Sequence, residues 1–223
     1  MEKYIGYIKN VNLFSTLEES DIKMISKITY VKAFDKGYVV FQEGDKGDAL
    51  YVILNGKVKI SLFDENGREY ILDVIGKDGF FGELSLIDEL PRSANVVTTE
   101  DAEFLIVRRH DFTKLLIENP KITINILKTL SGRLRAADER IRGLAFLSVE
   151  GRILKYLTDI GEESGTRVRD YIIIENGPSQ VELASFCGCS RETVSRTITN
   201  LVKKGVISVR KRQYTLRPVY PSF

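Results

Sequence analysis

The sequence predicts an α+β chain, on three observations. Residues from about Val31 to Val107 form short apolar runs separated by turn residues. Residues 121–147 carry a seven-residue apolar repeat without a proline. From Pro178 onward, two short helical patterns flank a glycine and precede a terminal hairpin. The expectation is an N-terminal antiparallel β-roll or sandwich of about eight strands, then one long helix, then a small helical unit.

The strand region is punctuated by GDKGD, Asn55-Gly56 and DENG, which separate YVVF, ALYVIL, KVKISLF and EYILDVI, with FLIV closing the set. Asn-Gly between alternating runs is a hairpin signal, and it predicts positive φ at both turn residues. Domain boundaries are expected at 1–119, 120–148 and 149–223.

In the second segment Leu127, Leu134 and Ile141 repeat every seven residues, and Leu130, Ala137 and Leu144 follow each by three. Those are a and d positions, with Lys128, Arg133, Arg135, Glu139, Arg140 and Arg142 mostly elsewhere. Such a helix, about 40 Å long at 1.5 Å per residue, predicts a dimerisation seam with a second copy.

Further on, Ser179 and Glu182 have capping-box spacing, Gly188 turns the chain, and Ser190 caps a second helix that ends before Gly205. Helix, glycine turn and capped helix make a helix-turn-helix, and VISVRKRQYTL makes it winged. On the second helix the i, i+4 pairs Arg191/Ser195 and Glu192/Arg196 share one polar face. Arginine can grip guanine O6 and N7 bidentately, and glutamate can accept from the cytosine amine. Arg210, Lys211 and Arg212 fall at the wing tip, where DNA phosphates can be met.

Charge agrees with this division. Net charge is only +2, yet from Leu183 to the end there are eight Lys and Arg against one Glu. A basic end on a near-neutral body predicts a polyanionic partner, double-stranded DNA.

Other classes find less support. The N-terminus MEKYIGYIKN has no continuous apolar stretch, and ALYVIL is far short of a membrane span, so a cytoplasmic protein without membrane contact is expected. One histidine and no Walker or Rossmann glycine loop leave no coherent catalytic set. Cys187 and Cys189 cannot supply a four-ligand metal or iron-sulfur site. His110, in RRHDF, reads as a surface helix-start residue rather than a haem ligand.

One stretch needs a different explanation. FGELSLIDELPRSANV, from Phe81 to Val96, holds Glu83 and Arg92 in a mostly apolar or turn-like run with small residues beside them. Taken with LAFLSVEGRI and CSRETVSR in that order, it resembles the bacterial cyclic AMP receptor protein and fumarate-nitrate regulator family of transcription factors, over about Leu13 to Leu216. The resemblance implies that the roll is of the cyclic-nucleotide-binding type and that FGEL to RSA is its phosphate-binding cassette. Glu83 would then hold the ribose 2′-hydroxyl and Arg92 the cyclic phosphate, with Gly82, Leu84 and Ser93 as close contacts. A permanently charged fork suits phosphate, and an ionised carboxylate is an obligate acceptor.

The base end departs from the family pattern. Arg133 matches an arginine that the cyclic AMP receptor protein places near its ligand, but Ala137 and Asp138 stand where that protein has a Thr-Ser pair, and Asp73 is a further polar position. Aspartate can accept from an adenine amine or from the N1 and N2 hydrogens of guanine. Cyclic AMP is preferred, ahead of cyclic GMP, a cyclic dinucleotide or an empty pocket; a Glu83 to Arg92 ion pair that only stabilises the roll is the bland alternative. Arg191, Glu192 and Arg196 match the family's base readers and Ser195 its serine or glycine position, implying a palindrome of TGTGA-like half-sites. RNA polymerase is the implied protein partner. A nucleotide-binding subunit acting on another protein would explain the cassette but not SRETVSR or the wing.

Overall fold

A computed structural model describes residues 8, 11, 13, 14 and 17–217, without the side chains of residues 20 and 24. The described chain falls into two compact units, Met1–Phe63 with Ile71–Arg135, and Asp64–Tyr70 with Ala136–Phe223. The ends of the expected first and third domains lie outside the described residues.

The first unit opens with helix α1 (Glu19–Ile28), followed by strands β1 (Thr29–Phe34), β2 (Val39–Phe41), β3 (Ala49–Asn55), β4 (Val58–Phe63), β5 (Glu69–Ile75) and β6 (Phe80–Phe81). A single helical turn, α2 (Leu84–Ile87), precedes β7 (Asn95–Thr98) and β8 (Ala102–Arg108). Two four-stranded sheets result, ordered β1-β8-β3-β6 and β2-β7-β4-β5. Each pairing with a resolved register is antiparallel.

The continuous apolar runs of the sequence are the central strands, β3 and β8, and both of their faces are covered. Leu50, Val52 and Leu54 on one face of β3 join Leu105 and Val107 of β8 in a core closed by Ile22 and Ile25 of α1. Phe112 and Leu115 of α3 (Arg109–Glu118), with Ile122 and Ile126 of α4 (Pro120–Phe146), complete that core. On the opposite face, Ala49 and Ile53 meet Phe81, Val96, Phe104 and Ile106 between the sheets. A period of two with both faces buried leaves no polar alternation, which is why ALYVIL and FLIV read as uninterrupted.

The hairpins differ in detail from expectation. Gly56 and Gly67 take positive φ, whereas Asn55 and Asn66 do not, so neither turn has both central residues left-handed. At Gly56 a Cβ would sit 2.6 Å from the Asp101 carbonyl oxygen, a close approach that only glycine permits.

Helix α4 begins with proline, whose fixed φ and missing N–H suit a first helical position, and runs for 27 residues. Leu127 and Leu134 are 52% and 64% exposed, and Ile141 and Leu144 62% and 45%. Leu130 differs from these: it is half-buried against the core of the roll.

The second unit continues from α4 into α5 (Val149–Ser164), β9 (Thr166–Val168), β10 (Tyr171–Ile174), α6 (Gln180–Cys187), α7 (Arg191–Lys203), β11 (Ile207–Arg210) and β12 (Gln213–Leu216). Its sheet is ordered β11-β12-β10-β9. Ile153 and Leu157 of α5, Leu183 of α6, and Val194, Ile198 and Leu201 of α7 pack over Ile172, Ile174, Tyr214 and Leu216 of that sheet.

Candidate effector pocket and nucleic-acid interface

Seven polar or charged residues are buried among those described, and only two of them, Glu83 and Arg92, are ionisable. Both lie in the FGEL to RSA stretch. Burying a charge costs several kcal/mol unless partners compensate, so the partners decide what each residue is for.

Arg92 is 3% exposed. Its Nη1 donates to the Gly82 carbonyl at 2.7 Å and to Ser85 Oγ at 2.9 Å, and its Nη2 donates to the Ala49 carbonyl at 2.9 Å. The guanidinium lies 4.1 Å from the centre of the Phe41 ring. Among the described residues its one carboxylate neighbour in ion-pair range is Asp48, at 3.5 Å, whose side chain is 81% exposed. Its Nε has no hydrogen-bond partner among the described residues. Burial lowers the guanidinium pKa and Arg109 adds to that, while Tyr51, Asp48 and Glu83 oppose it. The result is a dry cation with neutral acceptors, one weak counter-ion and one idle donor, an arrangement that attracts an anion.

Glycine makes the niche possible. Gly82 has φ +83°, and a Cβ there would lie 2.7 Å from Arg92 Nη1. Gly82→Ala is therefore strained in backbone and displaces the guanidinium. It is expected to weaken anion binding at least about 10-fold, the scale of one charged hydrogen bond, measurable by calorimetry.

Glu83 is 2% exposed and accepts from Arg133 Nη1 at 2.7 Å. Arg133 also donates to the Phe80 carbonyl oxygen. The glutamate is thus paired with Arg133 of α4 rather than with Arg92, which removes the simplest stabilising ion pair as an account of the two charges. Leu84 and Ser93 are exposed; the hydroxyl that reaches Arg92 belongs to Ser85, a residue sequence reasoning passed over.

A cavity of about 520 Å³ adjoins this cluster, lined by Asp73, the run Gly76–Phe80, and Asn125, Lys128, Thr129 and Arg133 of α4. Neither Arg92 nor Glu83 lines it, but Arg133 does. Ala137 and Asp138, four and five positions beyond Arg133 on α4, are exposed and fall in the second unit.

In the second unit the capping box forms as its spacing predicts: Glu182 N donates to Ser179 Oγ at 3.2 Å and Ser179 N to Glu182 Oε2 at 2.7 Å. Gly188 ends α6 in the left-handed conformation, and Ser190 caps α7 by accepting from Thr193 N. With Val194, Ile198 and Leu201 buried, Arg191, Glu192 and Arg196 emerge exposed and Ser195 half-buried. The backbone N–H at the start of α7, and then the Ser190 hydroxyl, hold the Glu192 carboxyl below the usual range, so it stays an acceptor. Cys187 is buried, its thiol pushed up to about 12 by that burial, a packing role.

At the wing tip Arg210 and Lys211 are exposed. Arg212 is engaged differently from expectation. Its Nε donates to the Gly177 carbonyl at 2.8 Å and its Nη2 to Glu182 Oε2 at 3.3 Å, fastening the wing to the start of α6.

A roll with a dry cationic niche, followed by a capped helix-turn-helix and a basic wing, defines a DNA-binding regulator with a ligand domain. Comparison with known proteins agrees. Residues 31–119 match the model of the cyclic nucleotide-binding domain, and residues 151–218 that of the Crp-like helix-turn-helix domain. A CRP-like cAMP-activated global transcriptional regulator of Mycobacterium tuberculosis is 32% identical over 200 residues, covering 90% of this chain and 89% of that one. The anaerobic regulatory protein of Bacillus subtilis is 32% identical over 199 residues, covering 87% and 83%. The structure of a c-di-GMP-responsive global regulator from Xanthomonas campestris superposes with a TM-score of 0.80 at 26% identity, covering 91% of this chain and all of that one. The chain belongs to the CRP/FNR family of transcription regulators, a family of DNA-binding regulators rather than enzymes. No helix among the described residues is long and apolar enough to cross a membrane.

Proposed function

We propose that the protein is a cytoplasmic homodimer, divided near residues 119 and 148, whose operator binding is switched by a cyclic nucleotide. The observation that carries the effector half is Arg92: a cation 3% exposed, with an idle Nε and one solvent-exposed counter-ion, gains most from a phosphate. Glu83, buried and accepting from Arg133, is the acceptor for a ribose hydroxyl. Its bond to Arg133 joins whatever occupies the niche to α4, the helix proposed to pair with a second copy.

Linkage follows from that connection. Nucleotide favours one placement of the paired helices, and so of the two recognition helices, only to the extent that it binds that state more tightly. Cyclic AMP is the preferred effector, as the name of the mycobacterial relative states for that protein. A second reading keeps the regulator and changes the nucleotide. Ala137 and Asp138 stand where the cyclic AMP receptor protein has a Thr-Ser pair, Asp73 is a further polar position, and the Xanthomonas neighbour responds to a cyclic dinucleotide. Calorimetry on nucleotide-stripped protein with cyclic AMP, cyclic GMP and cyclic di-GMP separates the two readings; no binding to any of them removes the effector half.

On DNA, Arg191, Glu192 and Arg196 read a palindrome of TGTGA-like half-sites, Ser195 admits a TTGA variant, and Arg210 and Lys211 meet phosphates. The half-sites lie about one turn, roughly 34 Å, apart. Ser179, already closed in its capping box, contributes through the position of α6, and RNA polymerase is the protein partner. Arg196→Ala is expected to cost about 1–3 kcal/mol and to relax a guanine preference. Lys211→Ala weakens all sequences alike and lowers the salt slope by about 0.9 per protomer, about 1.8 for the dimer. Equal losses on operator and random DNA for both variants contradict this division of roles.

A further inference from the structure

Arg109, the first residue of α3, bonds to none of the residues proposed to contact the ligand, yet it is bonded to both walls of their niche. Its Nη2 donates to the Gly47 carbonyl at 2.8 Å and to the Ser85 carbonyl at 2.7 Å, and its Nε to Gly47 again at 3.2 Å. Its own backbone N–H donates to the Asp48 carbonyl at 2.8 Å. Gly47 and Asp48 lead into β3, and Ser85 lies in α2; Arg92 is held between them, bonded to Ser85 Oγ and Ala49 O and paired with Asp48.

The spacing of those walls is tight. A Cβ on Gly47 would fall 2.1 Å from Ser85 Oγ and 3.4 Å from Arg92 Cζ. Nearby, Gly44 N donates to the Arg92 carbonyl and Arg92 N to the Asp45 carbonyl, both at 2.8 Å. The loop before β3 is thereby tied to the strand side of the niche, and Arg109 ties the same loop to α2 from outside the set of proposed ligand contacts. A single guanidinium bridging two carbonyls on separate segments fixes their separation, because its donors are set in a rigid plane.

We infer that Arg109 is a positioning residue of the effector pocket: by clamping Gly47 to Ser85 it sets the niche in which Arg92 meets an anion, without touching the anion itself. The inference rests on the reading of that niche given above. It adds a residue, remote in sequence from the cassette, whose loss opens the pocket while every proposed ligand contact remains in the chain. Preorganised donors bind more tightly than donors that must be ordered on binding.

The test uses the full chain with Arg109→Gln and Arg109→Lys, thermal midpoints recorded for both, and calorimetric titration with cyclic AMP, cyclic GMP and cyclic di-GMP. Arg109→Gln is expected to raise the dissociation constant of whichever nucleotide binds by about 10- to 100-fold, the scale of losing bonds from a charged donor. Arg109→Lys keeps the charge, but its side chain ends about one bond short of the Nη2 that makes both bonds, so Nζ reaches Gly47 without Ser85 and binding stays weakened to a similar degree. Wild-type affinity in the lysine variant would show that charge alone acts, and wild-type affinity in the glutamine variant would show no role; either overturns the inference. If the wild type binds none of the three nucleotides, the effector reading fails by itself. Amide exchange of the unliganded proteins then decides the clamp: Arg109→Gln is expected to speed exchange in 44–48 and 85–88, and unchanged exchange there overturns it.

Discussion

Replacing Arg92 by methionine is expected to abolish nucleotide binding while leaving a folded protein. Methionine fills a similar volume beside Phe41 without charge or donor. Each charge-assisted bond to a phosphate contributes about 1.5–3 kcal/mol. The loss of the Nε bond, and of the second bond that Nη2 can make once the exposed Asp48 is displaced, therefore raises the dissociation constant by about 100-fold or more. Stability responds to two opposing changes. The Gly82 and Ala49 carbonyls and Ser85 Oγ lose their donor, which destabilises. A buried cation whose carboxylate partner is 81% exposed is removed, which stabilises, because desolvation of such a charge is poorly offset. The thermal midpoint is expected to shift by only a few degrees, where about 1 kcal/mol corresponds to 2–4 °C for a chain of this size. Tight binding by a folded Arg92→Met protein would remove the phosphate role of the niche.

The second large effect belongs to α4. Leu134 and Ile141 are each more than three-fifths exposed, although fully burying such a side chain is worth about 1.5–3 kcal/mol. Leu127 and Leu144 extend the same heptad series. The double variant Leu134→Asp, Ile141→Asp places four carboxylates in a two-copy seam, where like charges repel and cannot be hydrated. Sedimentation is expected to show a monomer. Affinity for a palindromic duplex falls by about 100-fold or more, since the second half-site contact ceases to be intramolecular. Affinity for a single half-site changes little, because α6 and α7 are packed against α5 and their own sheet. An unaltered dimer would place the interface elsewhere.

Particular elements show why some of this was legible in sequence and some was not. The helix-turn-helix was readable because its signals are local: Ser179 and Glu182 are three apart, Gly188 supplies one left-handed residue, and Ser190 caps three residues ahead. Glu83 and Arg92 stood out as charges in an apolar run, and they are the two buried charged residues among those described. Their partners were hidden. Arg92 meets Ala49 across 43 positions, Glu83 meets Arg133 across 50, and Arg109 meets Gly47 across 62. Such pairings are fixed by strand order, which no local pattern encodes. Leu130 fits the heptad as well as Leu127 does, and only the tertiary structure shows it half-buried against the core of the roll. Arg212 reads as one more wing cation until Glu182, thirty residues away, is brought beside it.

Buried charge and the exposed stripe meet in one claim, that occupancy of the Arg92 niche is linked to operator binding. The most direct measurement titrates a labelled palindromic duplex of TGTGA-like half-sites with nucleotide-stripped protein, by fluorescence anisotropy at fixed salt, with and without saturating cyclic AMP. The account predicts at least about 10-fold tighter operator binding with nucleotide, and an equal gain in nucleotide affinity when operator is present, because linkage is reciprocal. Equal operator affinity with the niche occupied and empty would contradict it.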